Sequence, residues 1–336
     1  ESGQDARLVN DALNRIADSY FVSRNFRQAL DFYERAVRNS PGGNDYAAFQ
    51  KGMVQGVMGD FQDKINSLQF FLTQYPNSPR VPEARYELAG TYLITDNQSA
   101  AQQYFNQLIR EHPNSGFVAS ARLKSGLIHF NLNENQQALR VLKEVVSTYP
   151  GTPEAQQALT AIRNIYINLD QVDEFFRFAE ASGVGGDARM QQDSLTFVAA
   201  ENRYMQGDCM GAAQSFTNYL ERFPTGSYSL QAHFFRAECD LRNNLTDRAL
   251  ESYNWIISRP ASRFTENALV RAARIEFGRQ RYAQALEHFT RLIEIAELSE
   301  NRTEALAGQL RSLNGLGYLD QAAETATTLL AMPEIP

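Results

Sequence analysis

The chain has 336 residues, a formal net charge of −7 and a pI near 5.3. Binding to a phosphate backbone needs a dominant basic face, so this charge balance argues against nucleic acid as a partner. No apolar run approaches the roughly eighteen residues of a membrane-spanning helix, and we therefore predict no direct membrane span. A hydrophobic content of 43%, with 15 Tyr and 21 Phe, is ample for a continuous core between helix layers.

The first predicted element is a helical hairpin that ends near Pro41. Ala17 and Tyr20 fall on one face of a first helix, and Ala29 and Tyr33 fall on one face of a second. Small residues let two helix backbones approach closely, aromatic rings fill the space beside them, and proline ends the second helix. The sequence therefore opens with two amphipathic helices that pack against each other.

This pattern recurs along the whole chain at a nearly constant spacing. Lys64 and Phe175 stand at the two places that lack the small residue, and successive places are 35, 37, 37, 37, 37, 37, 36 and 37 residues apart. The small residues are Ala29, Ala101, Ala138, Ala212, Ala249, Ala285 and Ala322. Their bulky partners four residues later are Tyr33, Leu68, Phe105, Leu142, Phe216, Tyr253 and Phe289, and the closing prolines are Pro41, Pro76, Pro113, Pro150, Pro224, Pro260 and Pro333. We therefore predict an all-α chain of about nine hairpins.

Two hairpins depart from the pattern. The second has Gly52, Gly56 and Gly59 in its first helix, and since glycine costs up to about 1 kcal/mol of helix propensity each, we expect it to be soft. The fifth carries Phe175 at the small position, which should push its helices apart, and a glycine-containing stretch follows. We expect a bend near residues 180–190, and divide the chain into an N-terminal array 1–182, a junction 183–190 and a C-terminal array 191–336 continuous with the first.

The linkers between hairpins contain stop and start signals for helices. In Tyr75-Pro76-Asn77-Ser78-Pro79 the first proline stops one helix, and Ser78 is predicted to cap the next. Thr152 and Pro153 repeat this arrangement two hairpins later. An early start of the first helix would explain why the period is 37 residues.

The small–aromatic, Ala–Phe–Pro order resembles the tetratricopeptide repeat, whose usual unit is 34 residues. Tandem units with such linkers are similar to those of bacterial cell-envelope proteins, namely the lipoprotein of the outer-membrane β-barrel assembly machine and the periplasmic coordinator of cell division. The resemblance implies a right-handed α-α superhelix of about nine hairpins. It also implies location in the bacterial periplasm or at the outer membrane, with the cytoplasm as the alternative.

In this repeat family the first helices line the concave face and contact ligands there. Carried onto this sequence, the resemblance places an apolar groove in the first half and a mixed aromatic and charged surface in the second. The first set is Tyr46, Phe49, Met53, Tyr86, Leu93, Leu123, Leu127 and Phe130. The second set is Phe197, Tyr204, Phe234, Arg242, Arg274, Phe277 and Arg311. The three arginines either clamp a carboxylate or pair with Glu201, Glu238 and Glu276 on a solvated face.

Sequence motifs for catalysis and cofactors are lacking. The four histidines are isolated from other metal ligands, the glycine cluster at 183–186 has no phosphate-binding context, and no nucleophile motif stands out. We therefore predict no metal, no cofactor and no enzyme activity. Cys209 and Cys239 lie near one edge of the stack, where either a disulfide or two reduced thiols can be accommodated.

The predicted function is a protein-interaction scaffold that holds a protein or peptide segment in its concave groove. The alternative is a structural spacer or oligomerisation array that associates through its terminal hairpins, and a weaker third option is carbohydrate recognition by the aromatics. Because the sequence ends just after a closing proline, with no polar helix to cover the last apolar face, we expect the natural protein to be longer.

Overall fold

The computed structural model of the protein describes residues 2–40, 42–183 and 191–331. These residues form eighteen α-helices and contain no strand, which confirms the predicted fold class of a helical solenoid. The helices of the first half are α1 Ser2–Val22, α2 Phe26–Asn39, α3 Asp45–Met58, α4 Phe61–Gln74, α5 Val81–Ile94, α6 Gln98–Glu111, α7 Val118–Asn131, α8 Asn135–Thr148 and α9 Pro153–Asn168. Those of the second half are α10 Val172–Ala181, α11 Gln192–Met205, α12 Cys209–Arg222, α13 Ser229–Arg242, α14 Thr246–Ile257, α15 Thr265–Gly278, α16 Tyr282–Ile295, α17 Ser299–Leu316 and α18 Leu319–Leu330.

Each hairpin turns through one residue in the left-handed region of backbone space. The φ angles at these nine turns lie between 53° and 85°. The residues are Arg24, Gly59, Asp96, Asn133, Asp170, Gly207, Asn244, Gln280 and Gly317. Their spacing along the chain is the same as that of the repeated small residues, so one backbone conformation joins the two helices of every hairpin.

The predicted core positions are confirmed. The seven repeated alanines are buried, six of them completely, and all seven bulky partners are at most 3% exposed. Between neighbouring helices these residues form clusters such as that of Ala101, Phe105 and Leu108 with Ala121. The hydrophobic core is therefore a chain of similar clusters, as expected when each hairpin buries its apolar face against the next.

Acidic residues at the start of first helices bind the linker that follows their hairpin. Ser78 Oγ donates to Asp45 at 2.6 Å. In the second half Asp193 accepts the backbone N–H of Ser227 at 2.8 Å. These bonds satisfy polar groups in the linkers and fix the spacing of successive hairpins.

The linker predictions hold for one of the two cases. Thr152 Oγ1 accepts the N–H of Ala155 at 3.2 Å and Pro153 opens α9, so this cap is as predicted. Ser78 instead accepts the N–H of Arg80 within a turn, and α5 begins only at Val81. The prediction of a Ser78 helix cap is wrong because the acceptor Asp45 draws this hydroxyl into the linker.

The Cα positions group into two compact units, 1–165 and 166–336. The fifth hairpin's second helix, α10, has only ten residues, whereas most helices have fourteen. Phe175 takes the place of the small residue in α10 and is 5% exposed, in edge contact with Phe176. The predicted bend depends on residues 184–190, which lie outside the described residues, and the division at 183–190 stays a prediction.

Candidate functional site

The first helices of the N-terminal unit present the predicted groove residues in two different environments. Phe49 and Leu123 are 2% and 5% exposed and belong to the hydrophobic core, so they are not available to a ligand. The reason is that their positions face the second helix of the same hairpin; Phe49, for example, packs on Phe71 with ring centroids 5.7 Å apart. The remaining six are partly exposed: Tyr46, Met53, Tyr86, Leu93, Leu127 and Phe130.

Tyr46 is held in place by a shared carboxylate. Asp18 Oδ1 accepts hydrogen bonds from Tyr33 at 2.5 Å and from Tyr46 at 2.7 Å, which connects α1, α2 and α3. Burial, followed by the bond to Asp18, raises the pKa of Tyr46 above its ordinary value. The guanidinium of Arg80 lies 5.1 Å from the centre of the Tyr46 ring. Tyr46 is thus a rigid, neutral side chain with one face covered by a cation.

Tyr86 connects successive hairpins in a similar way. Its ring stacks on Phe117 at 5.2 Å between centroids, and Lys124 Nζ lies 5.9 Å from its centre. Burial is the main reason that the pKa of Tyr86 is raised. Much of this aromatic surface is therefore used to join hairpins, and only its edge is left for a partner.

The predicted aromatics of the second unit pack on one another. Phe197 is 3% exposed and stacks on Tyr228 at 4.6 Å, so it is a core residue rather than a contact residue. Tyr204 stacks on Phe235 at 4.8 Å, and Phe234 contacts Phe264 at 5.0 Å. Phe277 is partly exposed and lies against Tyr282 at 5.4 Å.

The three predicted arginines are exposed but do not share one environment. Arg242 lies over Tyr204 at 5.6 Å from the ring centre, Arg274 pairs with Glu304, and Arg311 is exposed. The predicted partners have other ligands, because Glu238 binds Arg271 and Glu276 binds Arg281. The predicted ion pairs are not seen among the described side chains, and the carboxylate clamp stays a prediction.

Three exposed apolar residues that we did not predict recur at the ends of three consecutive first helices. Val22, Val57 and Ile94 are 81%, 53% and 63% exposed. Each lies in the last two residues of its helix, α1, α3 or α5. Their separations of 35 and 37 residues equal those of Ala29, Lys64 and Ala101, so they occupy equivalent places in three consecutive hairpins. We call these three residues the exposed row.

The exposed row could have been found from the sequence. Ile94 directly follows the predicted groove residue Leu93, and a search for apolar residues in register with the period would have revealed the row. Met53 and Leu93 on the same helices are partly exposed and extend the apolar surface. Met205, 77% exposed, holds the equivalent place in the first hairpin after the glycine-containing stretch.

The described residues offer no site for a metal ion, since no three His, Cys, Asp or Glu side chains among them come together. In the same part of the chain, no helix combines the length and apolar character needed to cross a bilayer.

Comparison with known proteins agrees with this architecture. Residues 41–173 match the family described as outer membrane lipoprotein, and residues 197–263 match the tetratricopeptide repeat family. Over 192 residues the chain is 27% identical to "Outer membrane protein assembly factor BamD" of Caulobacter vibrioides. This alignment covers 51% of the chain and 63% of that protein, so the chain spans less than two thirds of this relative.

Solved structures with a similar helical arrangement include the MamA protein and a tetratricopeptide repeat protein from Parabacteroides merdae. The first is 20% identical, with 55% of this chain and 94% of that chain covered and a TM-score of 0.45. The second is 14% identical, with 90% and 99% covered and a TM-score of 0.42.

The described residues form nine registered hairpins, seven of which carry a buried alanine at the repeated small position, and this arrangement defines a tetratricopeptide repeat protein. Within that class, the chain is similar to the outer membrane lipoprotein family over residues 41–173 and to the BamD relative over 192 residues.

Proposed function

We propose that this chain is a non-catalytic protein-interaction scaffold of the bacterial cell envelope that holds an apolar segment of a partner protein on the exposed row. The observation that carries the proposal is the recurrence of Val22, Val57 and Ile94 at equivalent places in three successive hairpins. Scattered exposed apolar residues are ordinary on a protein surface, but these three recur in register at the same place of successive hairpins.

The chemistry of the exposed row defines what it can bind. Valine, isoleucine, methionine and leucine side chains supply no hydrogen-bond donors, so the partner must present apolar side chains at a matching spacing, as an amphipathic helix or an extended segment does. Because the receptor is ordered before binding, most of the entropic cost falls on the partner segment.

The similarity to an outer membrane protein assembly factor supports the envelope as the location. We propose that the partner is a protein of outer-membrane assembly and that the chain works on the periplasmic side of the outer membrane. Self-association through the terminal hairpins and the structural spacer are the competing functions.

Site-specific photocrosslinking tests the proposal. A photoreactive phenylalanine derivative is placed at position 57 or 94, and the control position is 70, since Phe70 is 46% exposed on the second helix α4 of the same unit. Crosslinks to one protein from positions 57 and 94, but not from 70, would support the exposed row as the site.

Binding of the crosslinked protein is then measured in purified form. The double substitution Val57→Ser with Ile94→Ser should raise the dissociation constant at least about tenfold. The reason is that the loss of two buried apolar contacts reduces the binding free energy by about 1.5 kcal/mol or more. Phe70→Ser should leave it within about twofold. Equal crosslinking from all three positions, or crosslinks only between copies of this chain, would reject the partner site in favour of the structural spacer.

A further inference from the structure

Two buried cysteines meet where the sixth and seventh hairpins pack. Cys209 is the first residue of α12 and Cys239 lies in the last turn of α13. Both belong to one hydrophobic cluster, with 9% and 0% of their surfaces exposed. Both are free thiols, and Arg242, three residues after Cys239, contacts the Cys209 sulfur.

The surroundings of the two sulfurs differ. Arg242 Nη1 donates to Cys209 Sγ at 3.6 Å, and the Cys209 carbonyl accepts from Asn243 Nδ2 at 3.3 Å. The Arg242 guanidinium can stabilise the negative charge on the sulfur that attacks an oxidant, and Cys209 is the more exposed of the two cysteines. Burial, followed by the bond to Cys209, raises the pKa of the Cys239 thiol. Cys209 is therefore the sulfur that reacts first, and Cys239 is positioned to react second.

We propose that Cys209 and Cys239 form a reversible disulfide that joins α12 to α13. The oxidant is a disulfide of a small thiol or of a protein. Cys209 sulfur attacks one sulfur of the oxidant, whose S–S bond breaks, and the first thiol leaves. Cys239 sulfur then attacks Cys209 sulfur and releases the second thiol. The cysteine pair loses two electrons, the oxidant gains them, and the two cysteine protons end on the two released thiols.

The bond would connect parts of the chain that belong to different hairpins. Cys209 starts the second helix of one hairpin, whereas Cys239 ends the first helix of the next. In a repeat array such neighbours are otherwise held only by noncovalent packing. A disulfide here would keep these two hairpins connected in the unfolded chain, and so lower the conformational entropy of the unfolded state.

The test uses the full chain in buffers of reduced and oxidised glutathione, with free thiols alkylated after denaturation and counted by mass spectrometry. The wild type should pass from two free thiols to none while it stays monomeric. Its thermal midpoint should rise by roughly 5 °C or more on oxidation. Cys239→Ser should accumulate a mixed disulfide with glutathione at Cys209, whereas Cys209→Ser should stay reduced for much longer.

Arg242→Gln and Arg242→Lys separate the role of the guanidinium from that of the fold. We expect Gln to slow the oxidation of the wild-type pair severalfold, and Lys to restore part of the rate because it restores the charge. Circular dichroism checks that each variant is folded. Thiols that remain free across the glutathione range, disulfides only between chains, or faster reaction at Cys239 than at Cys209 would each overturn the proposal.

Discussion

Lys64 in α4 occupies the space that Gly56 leaves open in α3. A Cβ atom added at Gly56 would lie 2.7 Å from Lys64 Cδ. The stem of Lys64 crosses this gap, and its Nζ reaches Glu87 Oε2 on α5 at 2.7 Å. The second hairpin therefore replaces the usual small residue with a long one and compensates with a glycine on the facing helix. Gly52 and Gly56 serve packing, whereas Gly59 forms the left-handed turn after α3, which runs without interruption from Asp45 to Met58.

This exchange predicts opposite effects of one substitution in two backgrounds. Gly56→Ala should destabilise the wild type by about 1 kcal/mol, because the new methyl group displaces the Lys64 stem. In a Lys64→Ala background the same change should stabilise the chain by up to about 1 kcal/mol, because alanine is the better helix former. The double-mutant cycle is measured by urea unfolding followed by circular dichroism. Additive effects would show that Gly56 and Lys64 are independent.

A second glycine, Gly308 in α17, is required by an aromatic ring. A Cβ atom there would overlap the tip of the Phe289 ring, and both residues are buried. Gly308→Ala should cost about 1–3 kcal/mol, as expected for overpacking. Gly278→Ala in α15 is the matched control, because a Cβ there meets nothing within 4 Å. Thermal unfolding compares the two variants, and equal midpoints would refute the overpacking argument.

Glu238 joins three helices of the second unit. Its carboxylate accepts from Tyr253 Oη at 2.6 Å and from two nitrogens of Arg271 at 3.1 and 3.2 Å. Glu238→Ala should cost about 2 kcal/mol, because a hydroxyl and a guanidinium lose a charged acceptor. Glu287→Ala on an exposed position should change stability by less than about 0.5 kcal/mol. The midpoints of urea unfolding are compared for the two variants. Similar midpoints would mean that the hydrogen bonds of Glu238 contribute no net stability.

His233 makes stability fall in acid. Burial, with Arg236 and Arg259 adding repulsion, lowers the pKa of His233 to about 3. The unfolded chain takes up this proton near pH 6.5, while the folded chain stays neutral until about pH 3, so stability decreases as the pH falls through this window. His233→Phe keeps a ring against Trp255, which stacks on His233 at 3.8 Å.

Between pH 7 and pH 5 the wild type should lose on the order of 1–2 kcal/mol more than His233→Phe. His288 also has a pKa lowered mainly by burial, but it is present in both proteins and its contribution cancels. The free energy of unfolding is measured by urea titration at each pH. Parallel pH dependences of the two proteins would contradict the assignment.

The fold could be predicted from the sequence because each hairpin depends on local, repeated packing. Ala101 and Phe105 identify their own hairpin, and five further hairpins repeat this pair of an alanine and a bulky residue. Side-chain availability could not be predicted with equal success. Tyr86 and Phe49 hold equivalent places, yet Tyr86 is partly exposed and Phe49 is buried, since the local choice of neighbouring rings decides the outcome.

The exposed row was missed for a related physical reason. The family pattern emphasises positions that pack between hairpins, and Val57 and Ile94 lie just outside them, at helix ends. Compensation between Gly56 and Lys64 is likewise invisible in a pattern that scores each position separately. The fit between two side chains on neighbouring helices can be recognised only in the three-dimensional structure.

The nine left-handed turns have a consequence for how the length of this protein can change. Six of them use a residue other than glycine, so the turn conformation is compatible with Arg, Asp, Asn or Gln as well as Gly. A segment that runs from one turn to the corresponding point of the next turn contains two helices, one linker and one left-handed turn. If such a segment were duplicated or deleted, every remaining turn and linker would still connect the same kinds of helices as before. The reach of the molecule can therefore be lengthened or shortened in whole hairpins, which makes distance between attached partners an inherited, adjustable property.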